Sequence, residues 1–424
     1  LFNFMNDSLN YQADIQNSYI TKTDLVGFID ANLSGIPDIN YINIKELQAT
    51  GSTRDINGKL DLLTNAGSIV GDANFQFNPD YKYYANLKFN KLNLENITAS
   101  ADLASNLNGY LYLNGSGIEL DKMVDTIFLS AYHSLIYRDS IDTVIVRGSL
   151  NQGIASFPQI FVKFPQPRRS FVRLNATVDF RHPNNPSYYL KGRINNVNLA
   201  AVAHDNNMPL NFSDNFELEG SGIDLDSIQF KFSTEIEELY LKNLAMLPQK
   251  IDISLKKNDN NEKEFSLLSG DNQIRAIGEI KISEFINSME QNIQFASSYL
   301  QNYYYNFILK QNDTTLNRTL VEKFKDYQFP SFDLDLSINL NDFSLVSVFI
   351  PDLHIVSSIN TDIKLNSYGS NFVADINPME IGFTNISTNG TKIKVDPFSI
   401  TSFARFHKDS MKLISPQISM DIKD

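Results

Sequence analysis

The chain of 424 residues contains no cysteine and no tryptophan, and it has only five histidines. Without cysteine there is no disulfide and no thiolate metal site. The histidines are scattered along the chain, without HExxH spacing or a paired neighbour, so they indicate neither a metal site nor a general base. They are His133, His182, His204, His354 and His407. We therefore expect a protein that is not an enzyme and has no metal and no cofactor.

Long apolar runs and long basic runs are also missing. No run of about 18 apolar residues is present, so no segment is expected to cross a bilayer as a helix. The 36 basic residues are outnumbered by 49 acidic ones, the net charge is −13, and no long basic run occurs. This balance excludes nucleic acid as a partner. With 42% hydrophobic and 20% charged residues, the composition is that of a folded chain.

An internal repeat organises the sequence. The two halves of the stretch Tyr188–Asp226 recur 105 residues earlier, as Tyr83–Ile97 and Leu111–Asp121. A third copy follows at Leu334–Phe349 and Ile363–Phe372, at offsets of 146 and 147 residues. Repeats of this size cannot bury an apolar face alone and usually stack on their neighbours.

Each copy alternates apolar and polar residues, which places the apolar side chains on one face of a β-strand. In the third copy, Asp333, Asp335, Ser337 and Asn339 are expected to face water. We call the fourteen apolar residues of the three copies the repeat positions. They are Leu87, Phe89, Leu111, Leu113, Leu190, Ile194, Phe216, Leu218, Leu334, Leu336, Ile338, Leu340, Ile363 and Leu365.

One region has helical periodicity. Between Phe285 and Phe307 apolar residues recur every three or four positions, and a shorter helix is predicted from Leu316 to Tyr327. We predict a helical insert at 284–328 that divides a repeating β segment, 1–283, from its continuation, 329–424. The insert is interpreted either as core packing against the sheet or as a lid over it.

The predicted fold is mostly β, an elongated and curled antiparallel sheet with an apolar interior, because long open sheets curl or split. A stack of closed sandwiches would show the same alternation. Asn57-Gly58 predicts a hairpin turn. The three prolines of the stretch Pro158–Arg169, at positions 158, 165 and 167, predict an edge strand or a crossing loop there. The Gly-Ser-Gly sequences at Gly115–Gly117 and Gly220–Gly222 predict a turn or bulge rather than a phosphate loop.

The blocks NNVNLAAV, LNGYLYLNGSGIELD and FELEGSGIDLD resemble repeats of the AsmA-like superfamily, in particular TamB-type proteins such as those of Bacteroidota. The resemblance covers most of residues 60–424. It implies a taco-like repeating β-groove that conducts phospholipids between the inner and outer membranes. The fourteen repeat positions would then line a groove that binds phospholipid acyl chains.

The resemblance also implies a periplasmic protein that is anchored in the inner membrane and reaches the outer membrane. The chain begins at Leu1 without a signal peptide, so we expect the anchor to lie in a segment outside this sequence. An Omp85-family outer-membrane barrel is the implied protein partner. Two alternatives stay open: a factor that assembles outer-membrane proteins with such a barrel, and a structural or adhesive β-repeat scaffold that binds no lipid.

Overall fold

The computed structural model describes residues 10–24, 38–52, 54–77, 81–136, 139–165, 169–202, 211–241, 244–246, 248–284, 286, 329–341, 353–369, 371–382, 384–388, 391–407 and 412–422. This part of the chain is mostly β, and it contains one long antiparallel sheet that is not closed. The predicted fold class is confirmed at this level.

The chain divides into two compact units. The first comprises Leu1–Leu218 and Ile236–Ala245, and the second comprises Glu219–Glu235 and Met246–Asp424. Three strands hold residues of both units, namely β12 (Asn211–Ser221), β13 (Gln229–Leu241) and β14 (Leu244–Met246).

In the first unit each strand pairs antiparallel with the next one along the chain, from β1 to β11. Such a meander needs only short connections, and it follows from the short spacing of the alternating segments. The strands are β1 (Asn10–Thr21), β2 (Tyr41–Ser52), β3 (Asp55–Thr64), β4 (Gly67–Gln76), β5 (Lys82–Leu92), β6 (Ser105–Ser116), β7 (Val124–Ile136), β8 (Asp139–Asn151), β9 (Ile154–Lys163), β10 (Phe171–Asp179) and β11 (Ser187–Val197).

In the second unit the strands are β15 (Gln249–Lys257), β16 (Lys263–Ser269), β17 (Asn272–Ile280), β18 (Phe329–Leu340), β19 (Leu353–Val356), β20 (Ile359–Gly369), β21 (Asn371–Ile381), β22 (Thr384–Thr388), β23 (Thr391–Val395), β24 (Phe398–His407) and β25 (Lys412–Ile422). Antiparallel pairing runs in the order β15, β16, β17, β18, β20, β21, β24, β25. The remaining strands, β19, β22 and β23, form a separate three-stranded sheet.

Two short helices occupy the same place in the first two copies of the repeat. They are α1 (Leu94–Thr98) and α2 (Leu199–Val202), and a 3-10 turn follows α1 at Ala101–Leu103. The Asn93 side chain accepts a hydrogen bond from the Glu95 backbone N at 3.1 Å. The Asn198 side chain accepts one from the Ala201 backbone N at 2.9 Å. These asparagines cap the helices.

The Gly-Ser-Gly sequences end strands and open tight turns, which confirms the predicted turn. Gly117 and Gly222 have φ of +83° and +86°, a conformation that glycine adopts at least cost. The Met123 backbone N then donates to the Glu119 carbonyl at 2.8 Å, and the corresponding bond in the next copy has the same length. The residues after these glycines are therefore turn residues and not strand residues.

The hairpin prediction for Asn57-Gly58 is wrong. Both residues lie inside β3, where Asn57 pairs with Thr50. The turn lies further back, where the Ser52 hydroxyl donates to the Asp55 carboxylate and accepts from the Arg54 backbone N at 3.1 Å. Side-chain hydrogen bonds of this kind replace the Asn-Gly turn chemistry.

Pro158 lies in β9, which pairs with β8 and with β10. The prediction of an edge strand or a crossing loop over Pro158–Arg169 is therefore wrong at Pro158. Phe164, Pro165 and Arg169 lie in the connection between β9 and β10, and Pro167 lies outside the described residues. Both ladders shift register beside Pro158, between Arg147 and Ser149 and between Leu174 and Ala176. A bulge tolerates a residue without a backbone N–H donor, so the proline is accommodated inside the sheet.

The predicted helical insert lies outside the described residues, apart from Glu284 and Ile286, which are helical. The sheet resumes with β18 at Phe329, next to the predicted end of the insert.

Candidate functional site

The register of the first unit arranges the apolar residues in rows across the strands. Directly opposite residues of antiparallel strands have their side chains on the same face, so Cα partners can be followed from strand to strand. The row through Leu87 contains only aliphatic residues and glycine from β1 to β11. It consists of Ile15, Leu47, Leu60, Gly71, Leu87, Leu111, Leu129, Val146, Ile160, Leu174 and Gly192.

Neighbouring rows lie on either side of the Leu87 row. The row through Phe89 consists of Ser18, Ile44, Leu62, Ile69, Phe89, Gly109, Ala131, Val144, Val162, Val172 and Ile194. The row through Ala85 runs Ala13, Ala49, Gly58, Ala73, Ala85, Leu113, Ile127 and Gly148, and continues past the bulge with Phe157, Ala176 and Leu190. Together the rows form a broad apolar face.

Each row returns to its own repeat position one copy later. The Leu87 row ends at Gly192 and the Phe89 row ends at Ile194. Each of these end residues lies 105 positions after its counterpart. The strands between the copies therefore preserve the register. The row through Ala85 likewise reaches Leu190, which lies 105 positions after Ala85, and Leu113 lies in the same row.

The second copy compensates for its glycine with a larger partner. A Cβ atom built on Gly192 would lie 2.5 Å from Phe216 Cζ and 2.7 Å from Leu174 Cδ2. The Phe216 ring therefore covers Gly192, whereas the first copy places Leu111 opposite Leu87. Leu218, two residues further along β12, is half-buried.

In the second unit the third copy forms similar rows. Leu334 pairs with Leu365 and Leu336 pairs with Ile363. The row through Leu336 consists of Leu255, Phe265, Ala276, Leu336, Ile363 and Ile376. The next row consists of Ile253, Leu267, Ile274, Ile338 and Thr361, and beyond it Leu340 pairs with Ile359.

The register of the third copy differs from the sequence match by two residues. The sequence aligns Ala85 with Leu336 and Leu113 with Leu365. Ala85 pairs with Leu113, but Leu336 pairs with Ile363 instead of Leu365. A shift of two keeps each side chain on its face, because the strand period is two.

The repeat positions are partly accessible. Phe89 is buried, with 6% of its surface exposed. The other thirteen are half-buried, while Asp333, Asp335, Ser337 and Asn339 alternate with them and are exposed. The predicted phase of the third copy is thus reproduced, and the apolar side chains keep surface that a ligand could contact.

Ion pairs mark the opposite face. Lys191 Nζ lies 3.2 Å from Glu217 Oε2 in the first unit. In the second unit, Glu264 lies 2.8 Å from Arg275 Nη2 and 3.1 Å from Lys256 Nζ. Hydrogen bonds from both cations lower the pKa of Glu264, and the bond from Arg275 has the larger effect. Charged groups on this face favour its contact with water.

A fourth row of the first unit contains one charged residue. It consists of Tyr11, Gly51, Ile56, Phe75, Tyr83, Gly115, Asp125, Leu150, Ala155, Val178 and Tyr188. The Tyr83 hydroxyl donates to the Asp125 carboxylate across Gly115. Burial, followed by this bond, raises the pKa of Tyr83. The charge of Asp125 is thereby hydrogen-bonded within the protein.

The corresponding row of the second unit contains two lysines, Lys257 and Lys263, followed by Gly278 and Leu334. Lys263 is 11% exposed, and its Nζ lies 3.3 Å from Asp226 Oδ1. Sequence reasoning missed these lysines. The available signal was that Lys257 follows Leu255, and Lys263 precedes Phe265, at the two-residue spacing of the apolar face.

Asp226 is held ionised by its donors. The Ser283 hydroxyl donates to one carboxylate oxygen, and the Ser283 backbone N donates to the other at 3.2 Å. The Ser283 hydroxyl is the largest cause of a pKa of Asp226 lowered to about 2, and Lys263 adds to it. Asp226 therefore remains a counter-charge for Lys263 at neutral pH.

Within the described ranges no group of three or more His, Asp or Glu residues could hold a metal ion. Of the helices that the structure describes, none has the length and apolar character needed to cross a bilayer. In comparisons with known proteins, no family model, no curated protein and no solved structure matches the chain.

Proposed function

We propose that this chain is a lipid-conducting segment of an AsmA/TamB-like protein, and that phospholipid acyl chains move along the apolar rows. The observation that carries the proposal is the continuity of those rows, from Ile15 to Gly192 in the row through Leu87. The sequence resemblance supports it independently. In this proposal the chain works in the periplasm, between an inner-membrane anchor outside this sequence and the outer membrane.

A conduit of this kind would lower the large free-energy barrier to moving a lipid through water. Moving an acyl chain into water costs about 0.8 kcal/mol per CH₂, or roughly 13 kcal/mol for sixteen carbons. Half-buried Leu, Ile and Phe side chains offer an apolar surface along which a lipid chain can shed most of its contact with water. The ion pairs of the other face, such as Lys191 with Glu217, would keep that face out of the lipid path.

Photocrosslinking tests which face contacts lipid. A photoactivatable residue at Leu218 or Leu336 of the full chain should capture phospholipid from vesicles. The matched controls are the adjacent positions Glu217 and Asp335. Glu217 accepts a hydrogen bond from the Tyr189 hydroxyl at 3.0 Å, on the polar face. Equal capture at both sets, or no capture at either, would contradict the proposal.

Introducing charge into the apolar rows tests whether lipid passes along them. Leu336→Asp combined with Ile338→Asp places two carboxylates in the apolar rows and should abolish lipid transfer between donor and acceptor vesicles, because a path in series fails at its worst point. Ser337→Asp combined with Asn339→Asp changes the exposed alternate positions and should leave transfer unchanged. Repeated purification without any bound phospholipid would instead favour a scaffold.

A further inference from the structure

The turns that follow the two Gly-Ser-Gly sequences expose aliphatic side chains. Ile118 and Leu120 are exposed in the first unit, and Ile223 and Leu225 are exposed in the second. The exposed fraction reaches 59% for Ile118 and 71% for Ile223. Backbone hydrogen bonds close both turns, so the turns do not depend on these side chains. One exposed aliphatic residue is ordinary on a protein surface, but the same two in each of two equivalent turns need an explanation.

The turn is repeated more closely than the strand and helix before it. Gly115–Asp121 and Gly220–Asp226 are identical at six of seven positions, and the seventh exchanges glutamate for aspartate. Tyr83–Ile97 and Tyr188–Val202 are identical at only five of fifteen positions. The positive φ of the turn explains its glycine but not the exposed isoleucine and leucine. A contact with something outside the chain explains why these two residues recur.

Two exposed aromatic residues lie at the same end of the sheet in the first unit. The Gly117 backbone N donates to the Tyr81 carbonyl at 3.2 Å. The ring of Phe77 lies 4.7 Å from that of Phe75, edge to face. Phe75 belongs to the fourth row and stacks on Tyr83 at 6.4 Å. We call the four exposed residues the turn edge, namely Phe77, Tyr81, Ile118 and Leu120.

The described charges beside the turn edge balance. Lys122 forms an ion pair with Glu119. Asp121 is exposed, and Lys82 at the start of β5 pairs with Ser116 at the end of β6. Exposed aliphatic residues with aromatic residues beside them are typical of segments that lie in a membrane interface. Because these described charges cancel, burial of apolar surface rather than attraction to anionic lipid would drive such a contact.

We infer that the turn edge is a membrane contact, in which Ile118 and Leu120 enter the interface of a lipid bilayer. The contact of Phe77 with Phe75 joins the turn edge to the fourth row, so the apolar face of the first unit continues to this contact. That continuity favours lipid as the occupant over a protein partner. The inference goes beyond the proposed function, because a chain can bind a bilayer without transferring lipid.

A single introduced tryptophan tests the contact, because the chain has none of its own. The full chain with Ile118→Trp is mixed with phosphatidylcholine vesicles. Its fluorescence should shift to shorter wavelength, and lipids brominated on their acyl chains should quench it. Tyr19→Trp is the matched control, since Tyr19 is 61% exposed and lies near the opposite end of the strands of this unit. Vesicles should leave the fluorescence of the control unchanged.

Removal of the aliphatic side chains tests the driving force. Ile118→Ser combined with Leu120→Ser should weaken binding of the full chain to phosphatidylcholine vesicles about fivefold, because less apolar surface leaves water. Glu119→Gln keeps both aliphatic residues and should change binding less than about twofold. Replacing part of the phosphatidylcholine by phosphatidylglycerol should likewise change it less than about twofold. Circular dichroism should confirm that each variant keeps its strand content.

The outcomes separate this inference from lipid conduction. Equal responses of Ile118→Trp and Tyr19→Trp, or unchanged binding of the double serine variant, overturn the membrane contact. A shift of Ile118→Trp that grows with protein concentration without vesicles also overturns it, because a second copy then covers the turn edge. Lipid transfer without any response at position 118 overturns the contact and leaves conduction standing. Vesicle binding through the turn edge without lipid transfer supports the contact and overturns conduction.

Discussion

The first two copies of the repeat fill the same space in the apolar face with different pairs of residues. In the first copy Leu87 lies opposite Leu111. In the second, a glycine and a phenylalanine take these places, and the ring of Phe216 occupies the space above Gly192. The pair of side chains is therefore what each copy preserves, because a row stays filled as long as the combined volume of opposite residues is kept.

The first two copies also differ in the hydrogen bonding of their equivalent tyrosines, Tyr83 and Tyr188. Tyr83 donates its hydroxyl to Asp125, while 105 residues later Tyr188 has no hydrogen-bond partner among the described residues. Burial raises the pKa of Tyr188 as well. The backbone, by contrast, is reproduced closely, as the positive φ of Gly117 and Gly222 shows. The first two copies thus conserve the backbone conformation of this turn more strictly than the chemistry of their side chains.

The largest expected effect comes from giving the second copy the residue of the first. Gly192→Leu would place a side chain where Phe216 Cζ lies only 2.5 Å from the new Cβ. We expect this overpacking to destabilise the first unit by about 3 kcal/mol. Faster hydrogen exchange of β10 and β11 amides would measure it, since exchange reports local opening.

The double variant decides whether volume is the cause. Phe216→Leu alone should cost about 1 kcal/mol through lost contacts. In the double variant Gly192→Leu/Phe216→Leu the second copy has the Leu-Leu pair of the first, and we expect about 2 kcal/mol of the single-variant cost to be recovered. Strict additivity of the two costs would contradict the idea of paired compensation.

The comparison also shows what sequence can and cannot predict. Alternation with a period of two predicted the strands and the common face of the repeat positions, because it follows directly from strand geometry. It could not predict the two-residue shift of the third copy. The pairing of β18 with β20 sets that register, since it places Leu336 opposite Ile363. A shift of two residues leaves the alternating pattern unchanged.

The polar residues of the candidate site were harder still to predict. Lys257 and Lys263 were overlooked because a lysine at a strand end ordinarily points its ammonium into water. Only the pairing of β15 with β16 shows that they are directly opposite. The contact between Asp226 and Ser283 joins residues that are 57 positions apart, and no local pattern predicts it.

An intermediate effect is expected at the two turn glycines. Gly117→Ala forces alanine into a φ of +83° and brings its Cβ to 2.8 Å from the Lys122 carbonyl oxygen. For Gly222→Ala the nearest atom is at 3.1 Å. We expect losses of about 2 and about 1 kcal/mol, respectively, in urea unfolding followed by circular dichroism. Gly58→Ala is the control, since its Cβ would meet no atom closer than 3.7 Å. Equal losses at Gly117 and Gly58 would show that the turn does not depend on glycine.

The smallest effect distinguishes the two tyrosines. Tyr83→Phe removes the hydroxyl that hydrogen-bonds Asp125 and should lower the free energy of unfolding by about 1 kcal/mol at neutral pH. Tyr188→Phe removes a hydroxyl without a described partner and should change it by less than about 0.5 kcal/mol. Because the pKa of Tyr83 is raised in the folded state, its contribution is complete below its ordinary value of about 10 and is lost as the pH rises through the raised value. Urea unfolding measured at neutral pH and above pH 10 should therefore show a smaller alkaline loss of stability for Tyr83→Phe than for the native chain. If Tyr83→Phe and Tyr188→Phe were indistinguishable at neutral pH, the hydrogen bond to Asp125 would not stabilise the first copy, and the difference between the copies would be one of packing alone.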